Sequence, residues 1–129
     1  MATRPTKILL IEDDVGDADI LREMLPEDEE SFEVEWVDRL STGLARLSDG
    51  GIDIILLDLS LPDSHGIDTF EQIHANAPKV PVIVLTGLED EELARKTIKK
   101  GASDFLVKGT AERSEFVRSL RNALQGKGT

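Results

Sequence analysis

Hydrophobic positions along this chain fall into two rhythms: short unbroken apolar runs, and longer stretches with apolar residues three or four apart. The runs are Lys7-Ile8-Leu9-Leu10-Ile11, Ile52-Asp53-Ile54-Ile55-Leu56-Leu57, Val80-Pro81-Val82-Ile83-Val84-Leu85 and Ser103-Asp104-Phe105-Leu106-Val107. Runs of this length bounded by turn residues predict strands buried on both faces, as in parallel sheets. Pro81 is tolerable only at the start of its strand. Phe32, Val34 and Trp36 instead alternate with Glu33 and Glu35, which predicts a half-exposed strand at a sheet edge.

Helical spacing fills the intervals. Ile20, Leu21, Met24 and Leu25 follow Gly16-Asp17 and stop at Pro26, before a solvated acidic loop, Glu27 to Glu30. Ser41 is placed to cap a helix with Leu44, Ala45 and Leu47, ended by Asp49-Gly50-Gly51. Ile67, Phe70, Ile73 and Ala77 mark a third helix, ended by Pro78. A fourth, from Glu89 to Lys100, turns Leu93, Ala94, Thr97 and Ile98 inward, and its acidic start and basic end suit the helix dipole. Phe116, Val117, Leu120, Ala123 and Leu124 define a fifth helix, and Gly126 to Thr129 reads as a tail. Five strands alternating with five helices predict an α/β fold, a doubly wound parallel sheet with right-handed crossovers and helices on both faces. The length suits a single domain spanning 1–129, with a core of about 7–124.

In such a sheet the carboxyl ends of the strands share one edge, where ligands bind. That edge would gather Glu12-Asp13-Asp14, Asp58, Thr86-Gly87 and Lys108. Clustered carboxylates repel and need a cation or a shared proton. With oxygen ligands only, the cation is a hard one, and a partly hydrated Mg²⁺ is the obvious candidate. A metal beside a carboxylate, a lysine and a hydroxyl suits the handling of a phosphoryl group. Asp58 is then the nucleophile, Lys108 the counter-charge and Thr86 a hydrogen-bond donor.

Composition narrows the classes. There is no cysteine, which excludes disulfides, zinc–thiolate sites and a cysteine nucleophile. The net charge of −11 argues against direct nucleic-acid binding. The first 94 residues carry a balance of −17 and the last 35 one of +6, so a separate contact surface in the last third competes with plain solvated helix faces. No signal peptide and no run of membrane-spanning length are evident, so neither a membrane nor an exported location is expected; the cytoplasm is the default. His65 and His74 are too few and too far apart for a metal site and are expected at the surface.

Four segments in order resemble the receiver domains of bacterial two-component response regulators, including those of the chemotaxis-regulator type. They are Leu9 to Asp14, Leu56 to Asp63 with Gly66, Val84 to Gly87, and Gly101 to Lys108. The resemblance covers roughly Lys7 to Leu124 and implies a flavodoxin-like sheet of order 2-1-3-4-5. It implies that Asp58 takes a phosphoryl group from a histidine of a sensor histidine kinase or a histidine phosphotransfer protein. Glu12 and Asp13 match the acidic pair that holds Mg²⁺, completed by Asp58 and the backbone carbonyl of Ser60; Asp14 lies beyond the pair. Thr86 matches the switch hydroxyl, Phe105 the aromatic that moves with it, and Lys108 the lysine paired with Asp58. Output would pass through the face of helix 4, strand 5 and helix 5 to a downstream protein partner or a fused output domain. Arg95, Lys96, Lys99, Lys100, Arg113, Arg118 and Arg121 lie on or beside those last helices. Beyond phosphoryl uptake and loss, no enzyme activity is implied.

Two positions depart from the family pattern. Gly109 follows Lys108 where proline is usual; a non-proline cis bond costs about 3 kcal/mol, so a trans bond and a looser turn are predicted. Leu88, two residues past Thr86, would hinder water attacking a phosphoaspartate and prolong the phosphoryl state. Three other functions compete with this reading. An aspartyl-phosphate hydrolase would carry a second acid where Ser60 stands. A flavin or nucleotide carrier would need a glycine-rich loop after the first strand. A receiver-like scaffold that binds without phosphorylation stays an alternative.

Overall fold

The computed structural model describes residues 5–25 and 32–126. Pro26, the acidic stretch of residues 27–30 and tail residues 127–129 lie outside the described residues. Five strands, β1 (Thr6–Ile11), β2 (Phe32–Val37), β3 (Ile54–Asp58), β4 (Val82–Thr86) and β5 (Asp104–Val107), form one parallel sheet of order β2-β1-β3-β4-β5. This is the doubly wound order expected. The reason is visible strand by strand: every residue of β3 and β4 is buried, whereas β2 pairs only with β1 and stays half-buried, as its alternation predicts. A small antiparallel hairpin, Ser60–Leu61 with Ser64–His65, projects from the end of β3.

The helices are α1 (Val15–Glu23), α2 (Leu40–Ser48), α3 (Ile67–Asn76), α4 (Glu91–Lys99) and α5 (Arg113–Gly126). Because successive side chains of a strand point to opposite faces, the sheet feeds two cores. Leu9, Ile11, Ile55, Leu57 and Val84 pack under α2, α3 and α4 with Phe70 and Ile73. Ile8, Leu10, Leu56, Ile83, Leu85 and Leu106 pack under α1 and α5 with Phe116 and Leu120. Phe70 and Phe116 are fully buried anchors of the two layers, and truncating either to alanine typically costs about 3–5 kcal/mol. Arg46 ties α2 to the edge strand by a forked pair of bonds to Glu35, 2.6 and 3.0 Å.

Several local expectations are corrected. Ser41 does not cap α2; the cap position is Arg39, two residues earlier, and Asp63 of the hairpin loop accepts from the amides of Leu40 (2.8 Å) and Ser41 (2.9 Å). Those amides hold the Asp63 carboxyl below its ordinary range. Ile20 and Ile98 face solvent at 52% and 38% exposure, because the apolar stripes of α1 and α4 are narrower than their sequence spacing suggested. The fourth helix begins at Glu91, after a 3₁₀ turn over Leu88–Asp90, and Gly126 closes α5 instead of opening the tail. His65 is exposed, but His74 is not a free surface residue. Its ring stacks on Phe70 at 5.3 Å, and its Nε2 lies 3.1 Å from where a Cβ on Gly101 would stand. With φ at +121°, Gly101 suits only glycine there, and the missing side chain lets the ring in.

Candidate functional site

The sheet delivers Glu12, Asp58, Thr86 and Lys108 to one edge because β1, β3, β4 and β5 run parallel and end level. The Glu12 amide continues the ladder to Val37 O at 3.0 Å, so its side chain turns into the protein and is fully buried. Its Oε1 accepts from the Asp14 amide at 3.0 Å. Trp36 of β2 donates its indole N–H to the Glu12 carbonyl at 2.6 Å, pinning the acidic turn from the sheet edge. Asp14 caps α1, its Oδ1 accepting from Asp17 N at 3.0 Å, which gives this acid a structural task.

Asp58 is buried at 4% exposure, with Oδ1 held by the Ser60 amide at 3.0 Å and Oδ2 by Lys108 Nζ at 3.0 Å. Lys108 Nζ also donates to Glu12 Oε2 at 3.1 Å and lies 3.2 Å from Asp17 Oδ2. The lysine is itself placed by the sheet: its amide donates to the Thr86 carbonyl at 2.7 Å. In the sequence Asp17 only opens a helical pattern with Gly16, and nothing local points to Lys108 as its partner.

Glu12, Asp13 and Asp58 each offer a carboxylate oxygen, and these lie within 4.8 Å of one another. A compact all-oxygen set suits a hard cation. Burial, then a hydrogen bond and repulsion from Asp58, push the Glu12 carboxyl up to about 8. Burial also pulls on Lys108, but the charges and hydrogen bonds of Asp58 and Glu12 outweigh it and hold the ammonium above its ordinary range.

The remaining residues stand differently. Thr86 is buried, and its hydroxyl donates to the Gly87 carbonyl at 3.2 Å instead of to Asp58. Phe105 is half-buried, packed against the α2–α3–α4 core. Leu88 is 67% exposed. The 108–109 peptide bond is trans, as predicted, and Gly109 takes φ of +86° in the turn that follows.

Residues 8–121 match the family profile described as response regulator receiver domain. The chain belongs to that family. Receiver domains of two-component response regulators are phosphoacceptor signalling switches, not conventional enzymes, and typically bind Mg²⁺. Among curated relatives, the swarming motility regulation protein RssB of Serratia marcescens is 36% identical over 101 residues, covering 78% of this chain and 45% of RssB. The sensory transduction protein RegX3 of Mycobacterium tuberculosis is 34% identical over 123 residues, covering 95% of this chain and 52% of RegX3. This receiver thus spans about half the length of the curated relatives it matches. A response regulator receiver domain protein from Clostridium thermocellum superposes with a TM-score of 0.78 at 26% identity, covering 95% of this chain and 96% of that one.

Proposed function

We propose that Asp58 is the phosphoacceptor of a single receiver domain with a core of about residues 7–124. In this reading Asp58 takes a phosphoryl group from a phosphohistidine on a sensor histidine kinase or phosphotransfer protein. The observation that carries this is the buried Asp58 carboxylate with Lys108 Nζ 3.0 Å from one oxygen and two further acids beside it. A buried acid so held has a fixed orientation and a counter-charge in place. The transfer breaks the donor's P–N bond and forms a P–O bond to the carboxylate, returning the electron pair to the imidazole.

Glu12, Asp13, Asp58 and the Ser60 carbonyl would hold Mg²⁺, whose charge, when bound, offsets that of the acids and of the phosphoryl oxygens. The Ser60 amide keeps one Asp58 oxygen fixed, and Lys108 moves with the growing negative charge at the other. Thr86, whose hydroxyl is held only by a long bond to its neighbour's carbonyl, is free to turn toward a phosphoryl oxygen, and Phe105 repacks with it. The exposed side chain of Leu88 shields the acyl phosphate from water and lengthens its life.

Output leaves through α4, β5 and α5. Lys96, Lys99 and Arg118 are exposed there, whereas Arg113 is engaged with the end of α1 through the Met24 carbonyl at 3.1 Å. This basic face suits an acidic protein partner or a fused output domain. Among the described residues no helix is long and apolar enough to cross a membrane, which fits a cytoplasmic location.

Intact-mass measurement after incubation with Mg²⁺ and acetyl phosphate tests the assignment. Wild type should gain one phosphoryl group and Asp58→Asn none. No gain in either would support the scaffold alternative.

A further inference from the structure

An acid at the third position of a helix ordinarily reaches back to the amide of the capping residue. Asp17 holds that position in α1, after the cap Asp14. Here the Asp14 amide is already taken by Glu12 Oε1 at 3.0 Å, and Asp is one methylene shorter than the Glu usual in that motif. The Asp17 carboxylate instead lies 3.2 Å from Lys108 Nζ, which is also 3.0 Å from Asp58 and 3.1 Å from Glu12. Three carboxylates share one ammonium at nearly equal distance. Asp17 is the most exposed of them, its side chain 36% accessible against 5% for Asp58 and 0% for Glu12.

Asp17 and Lys108 also stand together at the rim of a cavity of about 180 Å³ between α1 and the β5–α5 turn, floored by Leu21, Leu106 and Phe116. The lysine therefore has a third acidic partner, on a different element from the acceptor and reachable from solvent. Its charge is divided among the acceptor, Glu12 and α1.

We infer that Asp17 is a positioning residue for phosphoryl uptake: as a rival counter-ion it withholds part of the Lys108 charge from Asp58. The inference rests on Asp58 being the phosphoacceptor. It is distinct from the roles of the acidic pair, because Asp17 acts through the lysine. Removing its charge leaves Lys108 to Asp58 and Glu12 and makes the approach of an anionic donor easier.

The test compares wild type, Asp17→Asn, Asp17→Glu and Asp19→Asn for phosphoryl gain from acetyl phosphate with Mg²⁺, alongside the ¹⁵Nζ signal of Lys108 without donor. Asp19 is an exposed acid of the same helix, 3.6 Å from Arg22, and controls for net charge. Asp17→Asn should take up phosphate roughly fivefold faster at low salt, about the weight of one charge contact in water-like surroundings, and the gain should shrink in 0.5 M salt. Its Lys108 signal should shift, while Asp17→Glu restores both readouts to near wild type. Equal acceleration in Asp17→Asn and Asp19→Asn, or an unmoved Lys108 signal, overturns the inference. If no protein, wild type included, gains a phosphoryl group, the assignment of Asp58 fails; the Lys108 signal then decides whether Asp17 holds the lysine, an unmoved signal overturning that too.

Discussion

The two halves of the site are in different states of completion. On one side Glu12 and Asp58 are buried, Lys108 is half-buried, and the three are joined by bonds of 3.0–3.1 Å. On the other, Thr86 turns its hydroxyl to the adjacent carbonyl, Phe105 is half-buried and Leu88 stands in solvent. The charged half assembles by itself because opposite charges are already present and burial forces them together. On the proposed reading, Thr86 and Phe105 engage only when a phosphoryl oxygen arrives at Asp58. The difference is what a switch requires: a site built in advance and a reader that stays unengaged.

The largest break in that contrast comes from removing the lysine. Lys108→Met leaves buried carboxylates facing one another without their counter-charge. Breaking a buried pair costs about 3–5 kcal/mol, and since the Lys108 side chain keeps 24% exposure, about 2 kcal/mol is expected by urea unfolding without metal. Adding Mg²⁺ should recover more than half of that loss, because a bound cation supplies the missing charge. Equal losses with and without Mg²⁺ would show that the acids do not form one cluster.

A smaller effect is expected at Glu12, and its sign follows from the raised value of about 8. A carboxyl that titrates higher in the folded state than in the unfolded chain contributes most below its unfolded value, near 4.3. That contribution is lost as pH rises through about 8. Glu12→Gln keeps the neutral form at every pH. Without metal, the variant should gain on wild type as pH rises from about 4.3 to about 8 and keep that gain above it, by about 1 kcal/mol or some 4 °C in Tm. A constant difference across that range would refute the burial argument.

The reading half is probed most gently at Leu88. Leu88→Glu should leave uptake and stability unchanged and speed loss of the phosphoryl group about three- to fivefold, close to 1 kcal/mol in barrier. An unaltered decay rate would mean that the exposed leucine shields nothing.

Much of this was legible along the chain. Unbroken apolar runs fix buried parallel strands, and their acidic or basic endings place Glu12, Asp58 and Lys108 on one edge with no further information. What could not be read were contacts made across elements. Ser41 looked like a cap, but a helix start accepts any acceptor in reach, and Asp63 arrives from a loop 22 residues away. His74 looked like a surface histidine, because nothing local announces that Gly101 leaves room for its ring. Asp17 stood only as part of the Gly16-Asp17 opening of a helix, because its partner Lys108 lies at the far end of the chain.

Periodicity and burial are local properties of the chain, so the alternation of elements, the sheet, its central strand and the acids at its end can be read from the residues alone. How one ammonium is divided among Asp58, Glu12 and Asp17 emerges only from the packing. That division depends on contacts of 3.0–3.2 Å between residues far apart in sequence, set by how α1 and the β5–α5 turn pack on the sheet.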